Sequence, residues 1–486
     1  MTFTIFQFWA VFLPLVFLLF WTLKKWPLCQ SLLLFIANIF FYSCYDMKYV
    51  LLLFLSIFIT WIGGILGNKY SKNIYLVTLG CNILILLIFK YTGFVLGNIN
   101  LLLQQMGGAS ITIPSLLLPV GLSFFIFQSS SYLLDLYNGK INVEKNIIVY
   151  GLFVSFFPTI VSGPIQKSRE MLPKLRSVKN LTYTRFQSAI IIFLWGFFQK
   201  TVVADRIAIF TNQIFDNYTL YEGTTLFLAA ILYSLQIYTD FQGYSCMAIG
   251  VAKLFGLDLS ENFKQPYLAT SISDFWRRWH ISLTSWFREY IYFPLGGNRK
   301  GTLKKYRNVL IIFLISGLWH GAAWTFIIWG GIHAVYQIIG ALTLRYRVKI
   351  CKKLNIDRNT FSYKLWQRIC VFFLITIAWI FFRASSLSMA LEYIRLMFTS
   401  WNPWILFDGS LSTLGISWQE GYIYIFMLAV ILIVSILKES GRSVKNVLSQ
   451  NALFRGLIPM GLILVIIIWG IYGPEFSSSS FIYAGF

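Results

Sequence analysis

Long apolar blocks separated by short polar stretches fill this chain, and their lengths are those of membrane crossings. A bilayer core about 30 Å thick needs about 20 helical residues to cross it. On that measure helices are expected near residues 3–23, 28–45, 49–66, 74–96, 116–137, 186–203, 225–250, 322–344, 369–382, 422–437 and 457–472. Two pieces, 147–163 and 309–320, are shorter or interrupted. The first is predicted to dip into the membrane and return, and the second to pair with 322–344 as a hairpin. The fold class that follows is an all-α polytopic membrane protein of about 12 crossings with re-entrant and interfacial helices, built as one body over residues 1–486.

Charge placement orients this layout. Residues 100–115 and 398–421 contain no Lys or Arg, whereas residues 164–185, 253–308 and 345–368 hold six, ten and eight of the 40 in the chain. Basic loops stay on the cytoplasmic side, so both termini are expected outside, including an extracytoplasmic tail over 474–486. Phe3 to Leu23 is followed by Lys24 and Lys25, not preceded by basic residues, and reads as a retained span.

Composition agrees: 57% of residues are hydrophobic and only 12% charged, outside the range of ordinary soluble domains. A net charge of +22 would suit nucleic acid if it formed a stripe on a folded surface, but it is confined to loops, so membrane lipid is the expected neighbour and nucleic acid is not. The six cysteines show no paired spacing of a zinc or redox site, and no metal is expected.

Against this background a few polar residues are costly. His320 sits in VLIIFLISGLWHGAAWTFIIWGGIHAVY, flanked by Trp319 and by small residues that allow close approach. A titratable group at bilayer depth is a functional-site hypothesis by default; packing against a neighbouring helix is the alternative. His333, thirteen residues on, is expected on the opposite helix face in a structural role. Asp135 and Asp240 also fall in apolar segments, where each needs a partner or serves a proton path.

The segment SISDFWRRWHISLTSWFREYIYFPLGGNRKG repeats aromatic residues at helical spacing beside Arg277, Arg278 and His280. It reads as an interfacial amphipathic helix with a Trp belt that includes Trp279, or as one that also gives His280 a task. The following basic loop, with Arg299 and Lys300, suits a phosphorylated ligand, or serves only to fix topology.

These motifs, with SFFPTIVSGPIQ and LQIYTDFQGYS before them, occur in an order that resembles the membrane-bound O-acyltransferases, in their bacterial alginate and peptidoglycan O-acetylation branch. The resemblance runs from about Leu116 to the C-terminus. It implies a central tunnel with His320 as catalytic residue and His280 lining the same passage. It implies acetyl-CoA as acyl donor with no permanently bound cofactor, and the basic residues Arg277, Arg278, Arg299 and Lys300 are then the expected sites for the donor's phosphates. It further implies a polysaccharide acceptor and an extracytoplasmic partner of the SGNH-hydrolase type, in a bacterial cytoplasmic membrane. Where the family pattern has Asp-Phe-Ser-Gly-Tyr-Ser-Asp, this chain keeps Asp240 but has Cys246 at the last position.

The tail resembles the family's as well. The 13 residues from Pro474 to Phe486 could span about 40 Å extended, enough to bring Tyr483 to His320 from outside as an acyl relay, or else to dock on a partner. Three other readings stay open at this point: D-alanyl transfer to teichoic acid, a transporter or flippase with a His320 and Asp240 proton path, and a structural scaffold.

Overall fold

Side chains at the ends of the apolar blocks set where the helices begin. Asp46, Asn146, Ser271, Thr360 and Ser417 each precede a helix and accept a hydrogen bond from a backbone N–H of its first turn, satisfying donors that have no partner within the helix. The computed structural model describes residues 1–177 and 179–471. Among these every regular element is helical, and eight helices are long and apolar enough to cross a membrane.

Contacts divide the chain into two units. Among the described residues the first holds Met1–Phe193 with Tyr244–Ser260, and the second Leu194–Gly243 with 261–471. In the first unit, α1 (Leu13–Thr22), α2 (Pro27–Ser43), α3 (Met47–Lys69) and α4 (Asn73–Gln105) are followed by α5 (Leu122–Tyr137). The expected span over 116–137 starts later than its apolarity suggests, because Pro114, Pro119 and a left-handed Gly121 keep the preceding residues out of helix.

The short piece expected to turn back is two helices, α6 (Ile147–Ser155) and α7 (Phe157–Ile160), broken at Phe156 just before Pro158. The break frees backbone groups in a buried region, and Asn38 of α2 answers one by accepting from the Phe157 N–H at 2.9 Å. Asp135 of α5 is buried and paired as its position demands: Ser168 Oγ donates to it at 3.0 Å, with Lys140 and Arg169 at 3.9 Å. After α8 (Ser168–Arg176), α9 (Tyr183–Phe198) begins in the first unit and ends in the second.

The second unit continues with a π-helical turn, Gln199–Ala204, and α10 (Asp205–Asp216). It takes in most of the 32-residue α11 (Gly223–Leu254), then α12 (Ile272–Arg278), α13 (Ile281–Phe287), α14 (Thr302–His320) and α15 (Trp324–Leu342). Next come α16 (Leu344–Lys353), α17 (Phe361–Arg383), α18 (Leu387–Thr399), α19 (Trp418–Glu439) and α20 (Ala452–Trp469). The expected hairpin of 309–344 is present as α14 and α15, and glycine makes it tight. A Cβ on Gly330 would lie 2.1 Å from the Phe313 carbonyl oxygen, and one on Gly317 2.2 Å from that of Phe326, so the two backbones touch where only glycine fits.

Candidate active site

All three histidines lie in the second unit, and one set of indoles connects them. His320 is the last residue of α14, where the chain turns extended at Gly321 and Ala323 before α15. Its imidazole stands edge-on to Trp319 at 4.9 Å, to Trp329 at 5.0 Å and to Phe382 of α17 at 5.4 Å. His280 approaches Trp319 from another element, with ring centroids 6.1 Å apart. Two residues 40 positions apart in sequence therefore border the same indole, as two walls of one site would.

The helix expected to run through RWHIS does not. α12 ends at Arg278, Trp279 is extended, and His280 takes a left-handed backbone (φ 42°) before α13 begins. A non-glycine residue in that region is strained by about 1–3 kcal/mol and persists only where its surroundings hold it. Here Asn262 does so: its carbonyl accepts from the Ile281 N–H at 2.9 Å and its side chain from the Ser282 hydroxyl at 2.6 Å.

The break means that His280 does not share a helical face with Trp276 and Arg277. It also turns the aromatic run inward. Phe275, Trp276, Trp279, Leu283 and Trp286 are buried, so the segment is a packed element and not a belt displayed at the membrane surface. Trp279 stacks on Phe275 and contacts Trp379 at 5.0 Å. The His280 side chain is fully buried.

Asp240 is positioned by a charge cluster. Lys200, in the π-helical turn, donates to Asp240 at 2.6 Å and pairs with Asp205 at 2.9 Å, all three side chains being buried. Gly243 lets α11 reach this turn, since a Cβ there would sit 2.8 Å from the Gly196 carbonyl oxygen and 3.1 Å from the Lys200 nitrogen. The next residue after Asp240, Phe241, has its ring 4.7 Å from that of His280 at 87°. The ion cluster thus fixes the part of α11 that bears on the histidine. Asp240 holds an ion pair, the commoner of the two roles open to an intramembrane carboxylate.

Among the proposed donor-binding residues, Arg277, Arg299 and Lys300 are exposed. Arg278 is engaged by Asp274 at 3.1 Å and by both oxygens of Glu439 at 2.7 and 3.1 Å. The loop bearing Arg299 and Lys300 is fixed by a residue that gave no signal in sequence, buried Asn308, whose amide donates to the Leu295 and Gly297 carbonyls at 3.3 and 3.2 Å. Tyr483 lies outside the described residues. Among the described residues no three His, Cys, Asp or Glu side chains gather in a group that could hold a metal.

The family profile of membrane-bound O-acyltransferases matches residues 142–387, which include all three histidines. Similarity extends further along the chain to proteins of that kind. The probable alginate O-acetylase AlgI of Pseudomonas putida is 35% identical over 385 residues, covering 78% of this chain and 76% of that protein. The chain belongs to the membrane-bound O-acyltransferase family.

Another relative of this O-acyltransferase, the peptidoglycan O-acetyltransferase of Helicobacter pylori, is 36% identical over 422 residues, covering 79% of this chain and 77% of that one. The teichoic acid D-alanyltransferase of Bacillus subtilis is 31% identical over 229 residues, covering 44% and 57%. As a membrane-bound O-acyltransferase the chain is a multi-pass membrane enzyme, and the transporter and scaffold readings fall away.

Lys200, Asn262, Trp329 and Phe382 were not singled out from sequence. Lys200 had one available signal, since Asp240 in an apolar run demands a cation and WGFFQKTVVAD places a lysine in another. Removing one partner of a buried ion pair costs about 3–5 kcal/mol. Lys200→Met is accordingly expected to be recovered poorly as monodisperse protein after detergent extraction, and Lys200→Met with Asp205→Asn and Asp240→Asn to be recovered better. Size-exclusion chromatography of the two checks this; equal recovery would show that the cluster carries no such stability.

Proposed function

We propose that this enzyme moves an acetyl group from cytoplasmic acetyl-CoA to a hydroxyl on the outer side of a bacterial cytoplasmic membrane, for O-acetylation of an exported polysaccharide or of peptidoglycan. The observation that carries the reading is the convergence of His280 and His320 on Trp319 inside a buried aromatic cluster. Acetyl transfer, in place of D-alanyl transfer, is supported by the broader coverage of the O-acetylating relatives.

In this mechanism His320 is the general base. The acceptor hydroxyl gives its proton to the imidazole as its oxygen attacks the thioester carbonyl carbon. The C–S bond then breaks, and the proton passes to the departing thiolate, leaving free coenzyme A and an ester. Catalysis of this kind is worth about 10² to 10⁴ in rate. His280, its backbone held by Asn262, orients the thioester.

Arg277, Arg299 and Lys300 meet the donor's phosphates, with Arg278 held by carboxylates beside them. On the outer side, Tyr483 accepts the acetyl group first and an SGNH-type partner carries it on to the glycan.

His320→Ala is expected to lower coenzyme A release from acetyl-CoA by about 10² to 10⁴ in the purified enzyme supplied with an acceptor, without loss of folded protein. Release at the parent rate would contradict the role of His320. In cells lacking the partner, mass spectrometry of the C-terminal peptide is expected to find an acetyl ester on Tyr483 that is absent from Tyr483→Phe. Its absence from the parent protein removes the relay.

A further inference from the structure

His333 was expected to point away from His320, because thirteen residues along one helix bring a side chain to roughly the opposite face. The chain is not one helix there. It breaks at Gly321–Ala323 and reverses, and the reversal returns His333 to the cluster. Its ring lies 4.9 Å from Trp329, the indole that also borders His320 at 5.0 Å. Phe313 and Trp276 close two further sides, at 6.1 and 4.9 Å, and the residue is fully buried.

The hydrogen bonding of this imidazole is directional. The Trp276 indole N–H donates to His333 Nδ1 at 3.3 Å, and an indole nitrogen can only donate. A neutral imidazole that accepts at Nδ1 carries its proton at Nε2, so Nε2–H is a donor. Among the described residues it has no hydrogen-bond partner, and neither has the indole N–H of Trp329. A buried donor without an acceptor costs about 1–3 kcal/mol. These two donors lie in one aromatic cluster, beside the proposed catalytic base. Phenylalanine at 333 would remove the cost at Nε2 but would leave the Trp276 indole N–H without its acceptor. Among the described residues neither donor has an acceptor, and a carbonyl is the acceptor that an acyl donor brings.

We propose that His333 is a hydrogen-bond donor of the acyl-transfer site, its Nε2–H directed to the carbonyl oxygen of the reacting thioester, with Trp276 fixing the tautomer and Trp329 supplying a second donor. The inference rests on the reading of this enzyme as an acyl-CoA-dependent transferase. As the acceptor oxygen bonds to the carbonyl carbon, the carbonyl π electrons move onto oxygen and His333 stabilises that charge without giving up its proton. When the C–S bond breaks, the carbonyl re-forms and the thiolate takes the proton that His320 removed from the hydroxyl.

The test compares purified full-length His333→Phe, His333→Gln and His320→Ala with the parent enzyme, using acetyl-CoA and recording kcat, KM and melting temperature. Loss of one oxyanion-stabilising donor typically costs about 10² to 10³ in kcat. His333→Phe is expected to show that loss with KM for acetyl-CoA nearly unchanged. His333→Gln, which keeps an N–H near the Nε2 position, is expected to recover at least about tenfold of it.

A folded His333→Phe enzyme with parental kcat overturns the inference, as do equal losses in the Phe and Gln variants. If the Phe variant does not fold, the Gln variant decides: substantial kcat at unchanged KM supports the donor role, and complete loss overturns it. An inactive His320→Ala beside a fully active His333→Phe leaves the transferase reading standing and removes only this one. Parental activity in His320→Ala removes the transferase base itself.

Discussion

A polar group carried into an apolar membrane body has no water to fall back on, so each must be answered from within the protein. That constraint accounts for most of what is specific in this chain. Lys200, Asp205 and Asp240 answer one another across a π-helical turn, and Asn38 answers the amide freed where α6 and α7 part. Asn262 holds the left-handed backbone at His280, and Asn308 holds the basic loop before α14. Trp329 and His333 Nε2, two of the buried donors without a hydrogen-bond partner among the described residues, lie beside the proposed base.

The aromatic cluster does a second job. Trp319, Trp329, Trp379 and Phe382 come from three helices and stand at large angles to the histidine rings they touch. Rings arranged edge to face are worth about 0.5–1.5 kcal/mol each beyond their burial, and stiff side chains of this size fix the orientation of the imidazoles they touch. The same walls exclude water, which strengthens any charge interaction that develops during acyl transfer. Position and polarity of the site thus come from one set of residues.

Much of this was legible in the sequence, and the failures have identifiable causes. The α14–α15 hairpin was readable because glycines and alanines interrupt an apolar run at the point where it must turn. His320 and His280 stood out because a histidine in such surroundings is rare, and their motifs pointed to the family. The break at Trp279–His280 was hidden, since aromatic spacing continues across it as though the helix did. His333 was misread for a related reason: its face was counted along a helix that stops at His320. Lys200 passed unremarked because a single lysine beside an apolar run also serves topology. Asn308 carried no periodic signal at all.

The central claim is that the acyl group reacts inside the cluster bounded by Trp319 and Trp329. The most direct measurement is an electron cryomicroscopy structure of the full-length enzyme in lipid nanodiscs with a non-hydrolysable acetyl-CoA analogue. The account predicts that the analogue's acyl carbonyl lies in this cluster, within hydrogen-bonding reach, about 2.6–3.2 Å, of a histidine side chain, with its phosphates toward the Arg299 and Lys300 loop. An analogue bound with its acyl end outside the cluster, touching neither His320 nor His333, would contradict it.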